Sequence, residues 1–179
     1  MYSVKHRILY FCFLFIFSLS LSAQELQFNT LSFNGFAYNE GNGYFYGGGG
    51  LETAYIHPIG EGALHFGAEY RLVDWGNQLS LSLGYRGDYW QKEAWTISGL
   101  TKVQLGSALF NNGSLFAWGL SYQAQARWQS GKRFFGTMGL GIRYSNAPGY
   151  KEFGAINRLW ELPIQIGMGF RLVQKSDSP

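Results

Sequence analysis

Ten charged residues define the chemistry open to this chain. Glu52, Glu69, Asp88 and Glu161 are acids; Arg71, Arg86, Lys102, Arg127, Arg143 and Arg171 are bases. Most stand at alternate positions in stretches whose intervening residues are apolar. If folding gathers them in one narrow interior, they must pair, because an unpaired charge in a crowded, poorly solvated space is costly. The bases exceed the acids by two, so a second outcome is a narrow path that prefers anions. A further chemistry is nucleophilic: Ser145 sits in Arg143-Tyr144-Ser145-Asn146-Ala147-Pro148-Gly149. A serine needs a neighbouring base. Beyond the first residues, the histidines are His57 and His65. Neither has a second metal ligand at useful spacing, so no metal or cofactor is expected. Gly47–Gly50 is no phosphate loop, since no Lys-Ser/Thr follows it.

The elements that position these residues begin after an address. Lys5 and Arg7 precede an unbroken apolar run, Ile8–Phe17, and the small residues Ser18–Ala23 follow. The pattern predicts a signal peptide, residues 1–23, cut after Ala23. The run is shorter than the roughly 20 residues of a spanning helix. Removal takes two of the 14 basic residues and none of the 11 acidic ones, leaving a nearly neutral chain. The basic balance therefore gives no reason to expect nucleic acid. Cys12, the only cysteine, leaves as well.

Residues 24–179 then read as one domain. They hold no apolar run long enough for a membrane helix, and the chain carries 6 Trp, 12 Tyr, 15 Phe and 25 Gly with only 14% charged residues. This composition favours strands. The period confirms it. Trp118, Leu120, Tyr122, Ala124, Ala126 and Trp128 alternate with Gly119, Ser121, Gln123, Gln125 and Arg127. Trp160, Leu162, Ile164, Ile166, Met168 and Phe170 alternate with Glu161, Pro163, Gln165, Gly167 and Gly169. A period of two means strands with unlike faces. Turn residues divide the chain into eight strands: 26–38, 44–58, 62–74, 78–90, 94–108, 114–129, 133–145 and 158–173. The first two are β-rich, but their facing is open.

Eight long alternating strands behind a signal peptide predict an all-β, antiparallel, up-and-down transmembrane β-barrel. In hydrocarbon nothing satisfies an open strand edge, so the sheet must close. Aromatics at strand ends (Tyr44, Trp75, Trp90, Trp95, Trp118, Trp128, Trp160, Phe170) fit interfacial belts. The competing fold is a secreted soluble barrel or sandwich, where the apolar face meets a core. Uncharged apolar faces along the whole strand favour the membrane.

Two resemblances follow. Gln165, Gly167, Phe170 and Leu172 resemble the C-terminal assembly signal of Gram-negative outer-membrane barrels, although Val173–Pro179 follow where many members end. The whole exported chain resembles the small OmpA/OmpX-like, porin-family barrel domain. That resemblance implies a cell outer-membrane location and both termini in the periplasm. It implies contact with lipid, lipopolysaccharide and the barrel-assembly machinery, and external loops near 39–43, 75–78, 109–114 and 146–157. The last loop, with Tyr150 and Phe153, is a candidate surface for an extracellular partner. Separately, Ser145-Asn146-Ala147 resembles part of the lipid A deacylase motif. The histidine of that motif falls on Arg143 and its acidic residue near Asn157. Arginine stays protonated and cannot take a serine proton.

The sequence thus points to a non-catalytic outer-membrane barrel with an envelope-structural or surface-interaction role and a lumen plugged by salt bridges. The alternatives are a narrow passive channel for small solutes, anions among them, and a lipid A acyl hydrolase using Ser145.

Overall fold

The computed structural model describes residues 24–39, 42–73, 76–110, 113–131, 133–146 and 158–172. The expected signal peptide, Trp75, the loop 147–157 with Tyr150 and Phe153, and Val173–Pro179 lie outside the described residues. Eight strands follow in order: β1 (Glu25–Asn39), β2 (Asn42–Ile59), β3 (Gly62–Val73), β4 (Gly76–Lys92), β5 (Trp95–Phe110), β6 (Gly113–Ser130), β7 (Phe134–Asn146) and β8 (Arg158–Arg171). Each pairs antiparallel with the next, and β1 pairs with β8, so the barrel is closed. Closure leaves no open edge among these strands.

The expected number and order of strands hold. The hairpin after β4 is tighter than the gap expected between strands 78–90 and 94–108. β4 runs to Lys92 and β5 starts at Trp95, with Glu93 at a φ of 53° in the left-handed region a two-residue turn demands. Gly60 and Gly131 supply the same geometry in the turns after β2 and β6, at φ 57° and 77°. β4 is also not regular throughout. A bulge between Asp88 and Trp90 adds Tyr89 to the strand, so that Trp90 opposes Ile97 and joins the outward row.

The faces are inside-out for a water-soluble barrel. Leu81, Leu105, Leu120, Leu140, Leu162, Ile166 and Met168 project outward and exposed, whereas Glu69, Lys102, Gln123 and Arg143 are buried in the lumen. Aromatic rings border this outer band. Trp118, Tyr144 and Trp160 form a chain of contacts across β6, β7 and β8, with centroids 5.7 and 5.0 Å apart. Near the other rim, Phe28 stacks on Phe170 at 6.3 Å. Trp118 to Trp128 on β6 and Trp160 to Phe170 on β8 each span ten residues, or about 33 Å of strand. At the usual tilt of about 40°, that projects to about 25 Å, the height of the apolar band in barrels that cross a membrane.

β1 decides the facing left open by its sequence. Its lower half points Gln27 and Asn29 inward and Phe28 outward; its upper half points Leu31 and Phe33 inward and Ser32 and Asn34 outward. The polarity inverts without a bulge. The reason lies inside. Phe33, Ala37, Tyr46 and Leu159, with Val73 against them, fill the upper lumen as an apolar cluster.

Candidate functional site: the lumen

Below the apolar cluster lies a belt of buried charges drawn from all parts of the chain. Register brings them to one level: Glu52 opposes both Asn29 and Glu69, and Arg143 opposes Glu161. Glu52 accepts hydrogen bonds from Lys102 Nζ at 2.7 Å, Asn29 Nδ2 at 3.0 Å and Gln165 Nε2 at 3.1 Å, and His65 Nε2 lies 3.3 Å away. Glu69 accepts a bidentate pair from Arg143 at 2.7 and 2.8 Å, and a third bond from Gln104 Nε2 at 3.0 Å. Glu161 pairs with Arg71 Nη2, takes a hydrogen bond from the Tyr46 hydroxyl at 2.7 Å and faces Arg143 Nη1 at 3.6 Å. Three carboxylates thus meet three cations, and amide and hydroxyl donors occupy further lone pairs, while Glu161 Oε2 has the Arg143 guanidinium at 3.6 Å but no hydrogen bond. Such satisfaction is what makes a buried charge group tolerable.

A second group lies at the end of the lumen beside the chain's first strand residue. Glu25 accepts both Nη atoms of Arg127 at 2.6 and 2.7 Å, with Arg171 Nε at 3.3 Å and Arg86 Nη1 at 3.7 Å. Asp88 pairs with Arg86 Nε at 3.2 Å. Asp88 and Arg171 are a third exposed at their side chains, so they stand on the rim of an open cleft rather than in the sealed interior. Guanidinium faces join the two groups to the aromatic packing: Arg71 lies 4.4 Å over the Phe33 ring and Arg127 3.8 Å over Phe135.

All ten charged residues singled out in the sequence therefore stand on the inner wall or its rim. Glu25 was missed. Its signal was present, since Glu25, Gln27 and Asn29 alternate with Leu26 and Phe28. With Glu25 counted, the cationic excess falls from two to one, which weakens the electrostatic case for an anion path.

Ser145 faces inward, opposing Gly119 and Leu159. It lines a small upper dimple with Arg71, Gln78, Gln104 and Ser107, and among the described residues no histidine, lysine or carboxylate lines that dimple. Arg143, two residues away, is committed to Glu69. His65 is against Glu52 and His57 is near the opposite turn. Asn157 lies outside the described residues. Among the described residues, no group of three or more His, Cys, Asp or Glu is placed to hold a metal.

The four residues of the C-terminal motif have distinct structural places. Gln165 reaches Glu52. Gly167 faces Asn29 so closely that a Cβ there would overlap the Asn29 side chain and the Phe28 carbonyl. Phe170 stacks on Phe28, and Leu172 is exposed just past β8, its N–H donating to Gln24 O at 2.7 Å.

A closed eight-stranded barrel with a charged core and an apolar, aromatic-bordered wall has the fold of the small outer-membrane β-barrels. Neisserial surface protein A, NspA, is similar in structure, with a TM-score of 0.55 at 10% identity over 82% of this chain and 97% of that one. The outer membrane protein OprG from Pseudomonas aeruginosa is similar with a TM-score of 0.50 at 11% identity, over 85% and 97%. No family model and no curated protein matches the chain.

Proposed function

We propose that this protein is a non-catalytic barrel of the Gram-negative outer membrane, with both termini in the periplasm and an envelope-structural or surface-interaction role. The outer wall supports the location: its uncharged band is about as tall as a hydrocarbon core, and the fold is shared with NspA and OprG. The observation that carries the rest is the central charge belt. Glu69, Lys102 and Gln123 are 0% exposed there. Side chains from strands on opposite sides of the barrel meet in the middle, and Phe33, Tyr46 and Leu159 close the space above them. A lumen filled in this way is a strut rather than a conduit. Contacts with lipopolysaccharide, the barrel-assembly machinery and an extracellular partner belong to the same reading.

Planar-bilayer recording tests it. Purified, folded protein gives no single-channel steps under this account; regular steps of uniform size would replace it with the channel reading. Incubation with lipid A tests the catalytic alternative. No fatty acid is released under this account, and release that Ser145→Ala abolishes would make the protein a hydrolase.

A further inference from the structure

One sector of the outer wall breaks the apolar rule. On β8 the outward residues Leu162, Ile164, Ile166 and Met168 are all large and apolar. Beside them on β1, the outward residues are Asn34, Ser32 and Thr30. On the other side, β2 presents Gly47 opposite Asn34 and Gly49 opposite Ser32. Thr30 satisfies its hydroxyl within the barrel, donating to Ile166 O at 3.0 Å. Acyl chains offer nothing to the Asn34 amide or the Ser32 hydroxyl.

The four consecutive glycines of β2 divide by side. A Cβ on inward Gly48 would overlap the Phe33 ring and Leu72 O, and one on inward Gly50 would overlap Tyr70 O. The fold requires these two. The outward pair is different. A Cβ on Gly47 would come no closer than 3.5 Å to Asn34 Oδ1, and one on Gly49 would meet only Leu31 O, at 3.3 Å. Packing within the barrel gives little reason for glycine at either position, and glycine weakens a strand. Their outer surface is a trough, with exposed Phe45 beyond one end and Leu51 beyond the other.

We propose that this sector is a twofold interface with a second copy of the chain. The proposal rests on the membrane placement above. Two copies inserted in the same direction are related by an axis along the membrane normal, which preserves height. A patch made of a polar ridge beside a bare trough is complementary to itself under that rotation. The Asn34–Ser32 ridge of each copy enters the Gly47–Gly49 trough of the other, as an isologous contact requires. Asn and Ser both donate and accept, so the ridges satisfy one another where lipid cannot. Small residues bring backbones close and polar groups hold them, as in other membrane-embedded contacts.

Disulfide trapping in isolated outer membranes tests this. In a Cys12→Ser background, Ser32→Cys oxidises to a reductant-sensitive dimer, while Leu140→Cys, on β7, stays monomeric. Adding Gly49→Leu fills the trough. It slows trapping at position 32 by about tenfold, equivalent to about 1.4 kcal/mol, while the boiled and unboiled protein still migrate differently as a folded barrel does. The proposal is overturned if Ser32→Cys traps no faster than Leu140→Cys, or if Gly49→Leu leaves the rate unchanged in a barrel that has folded. Recovery of the protein outside the membrane fraction, seen before any oxidation, would instead remove the membrane placement and the interface with it.

Discussion

Arg143 on β7 and Glu69 on β3 meet across the lumen as a bidentate pair, Nη1 to Oε1 at 2.7 Å and Nη2 to Oε2 at 2.8 Å. The strands that carry them are not neighbours in the sheet. The pair therefore ties opposite sides of the barrel to one another. Removing Glu69 takes both of these hydrogen bonds from the buried Arg143 guanidinium and leaves it facing Glu161 Oε2 at 3.6 Å. Glu69→Ala is expected to destabilise the folded barrel by about 3–5 kcal/mol. The double variant Glu69→Leu with Arg143→Met is expected to lose clearly less. Urea unfolding in lipid vesicles reads both.

The glycines of β2 give a second contrast. Gly48→Ala drives a methyl into the Phe33 ring and Leu72 O. The expected cost is about 1–3 kcal/mol, as for other overpacked sites. Gly49→Ala, on the outer face of the same strand, is expected to stay within about 0.5 kcal/mol. Equal losses at the two positions would mean that the inside and outside of β2 have been exchanged.

Charge on the outer wall should be costly according to depth. Leu140 lies midway along β7, exposed on the apolar band. Leu140→Arg is expected to destabilise by about 2–4 kcal/mol, and Ser130→Arg, beyond Trp128, by roughly 0–1 kcal/mol. The same vesicle unfolding assay compares them. A penalty that ignores depth would count against a hydrocarbon solvent.

Gly167 separates packing from recognition in the C-terminal motif. Its missing Cβ leaves room for Asn29. Gly167→Ala is expected to lower the yield of heat-modifiable barrel, and Asn29→Gly in the same chain to restore part of it, since the Phe28 carbonyl still crowds the new methyl. If the glycine mattered only to assembly factors, the second substitution would rescue nothing.

Much of this architecture was written in the period of the sequence. β6 and β8 alternate without interruption, and such strands declare two faces, an approximate length and an even number. What alternation does not declare is which face is inside. On β8 the choice followed from the motif and the charges. On β1 it did not, because Leu31 and Phe33 turn inward to fill the upper lumen while Ser32 and Asn34 turn out. That reversal depends on the size of the cavity opposite, which is a property of all eight strands. The charged residues were legible as a set for the same reason. Their partners were not: that Glu52 takes Lys102, and Glu69 takes Arg143, follows from stagger between distant strands. Glu25 escaped because it sits at the edge of the expected export signal, where the pattern has barely begun.

The most direct test of the account concerns the solvent on the apolar wall. Nitroxide spin labels at Leu120, Ile142 and Gln123, placed one at a time in a Cys12→Ser background, measure collision with lipid-dissolved oxygen and with a water-soluble nickel chelate. Labels at Leu120 and Ile142 are expected to meet oxygen readily and the chelate hardly at all, and a label at Gln123 to be shielded from oxygen. Oxygen shielding at Leu120 and Ile142, or a lipid-exposed label at Gln123, would contradict the barrel's orientation of faces and everything built on it.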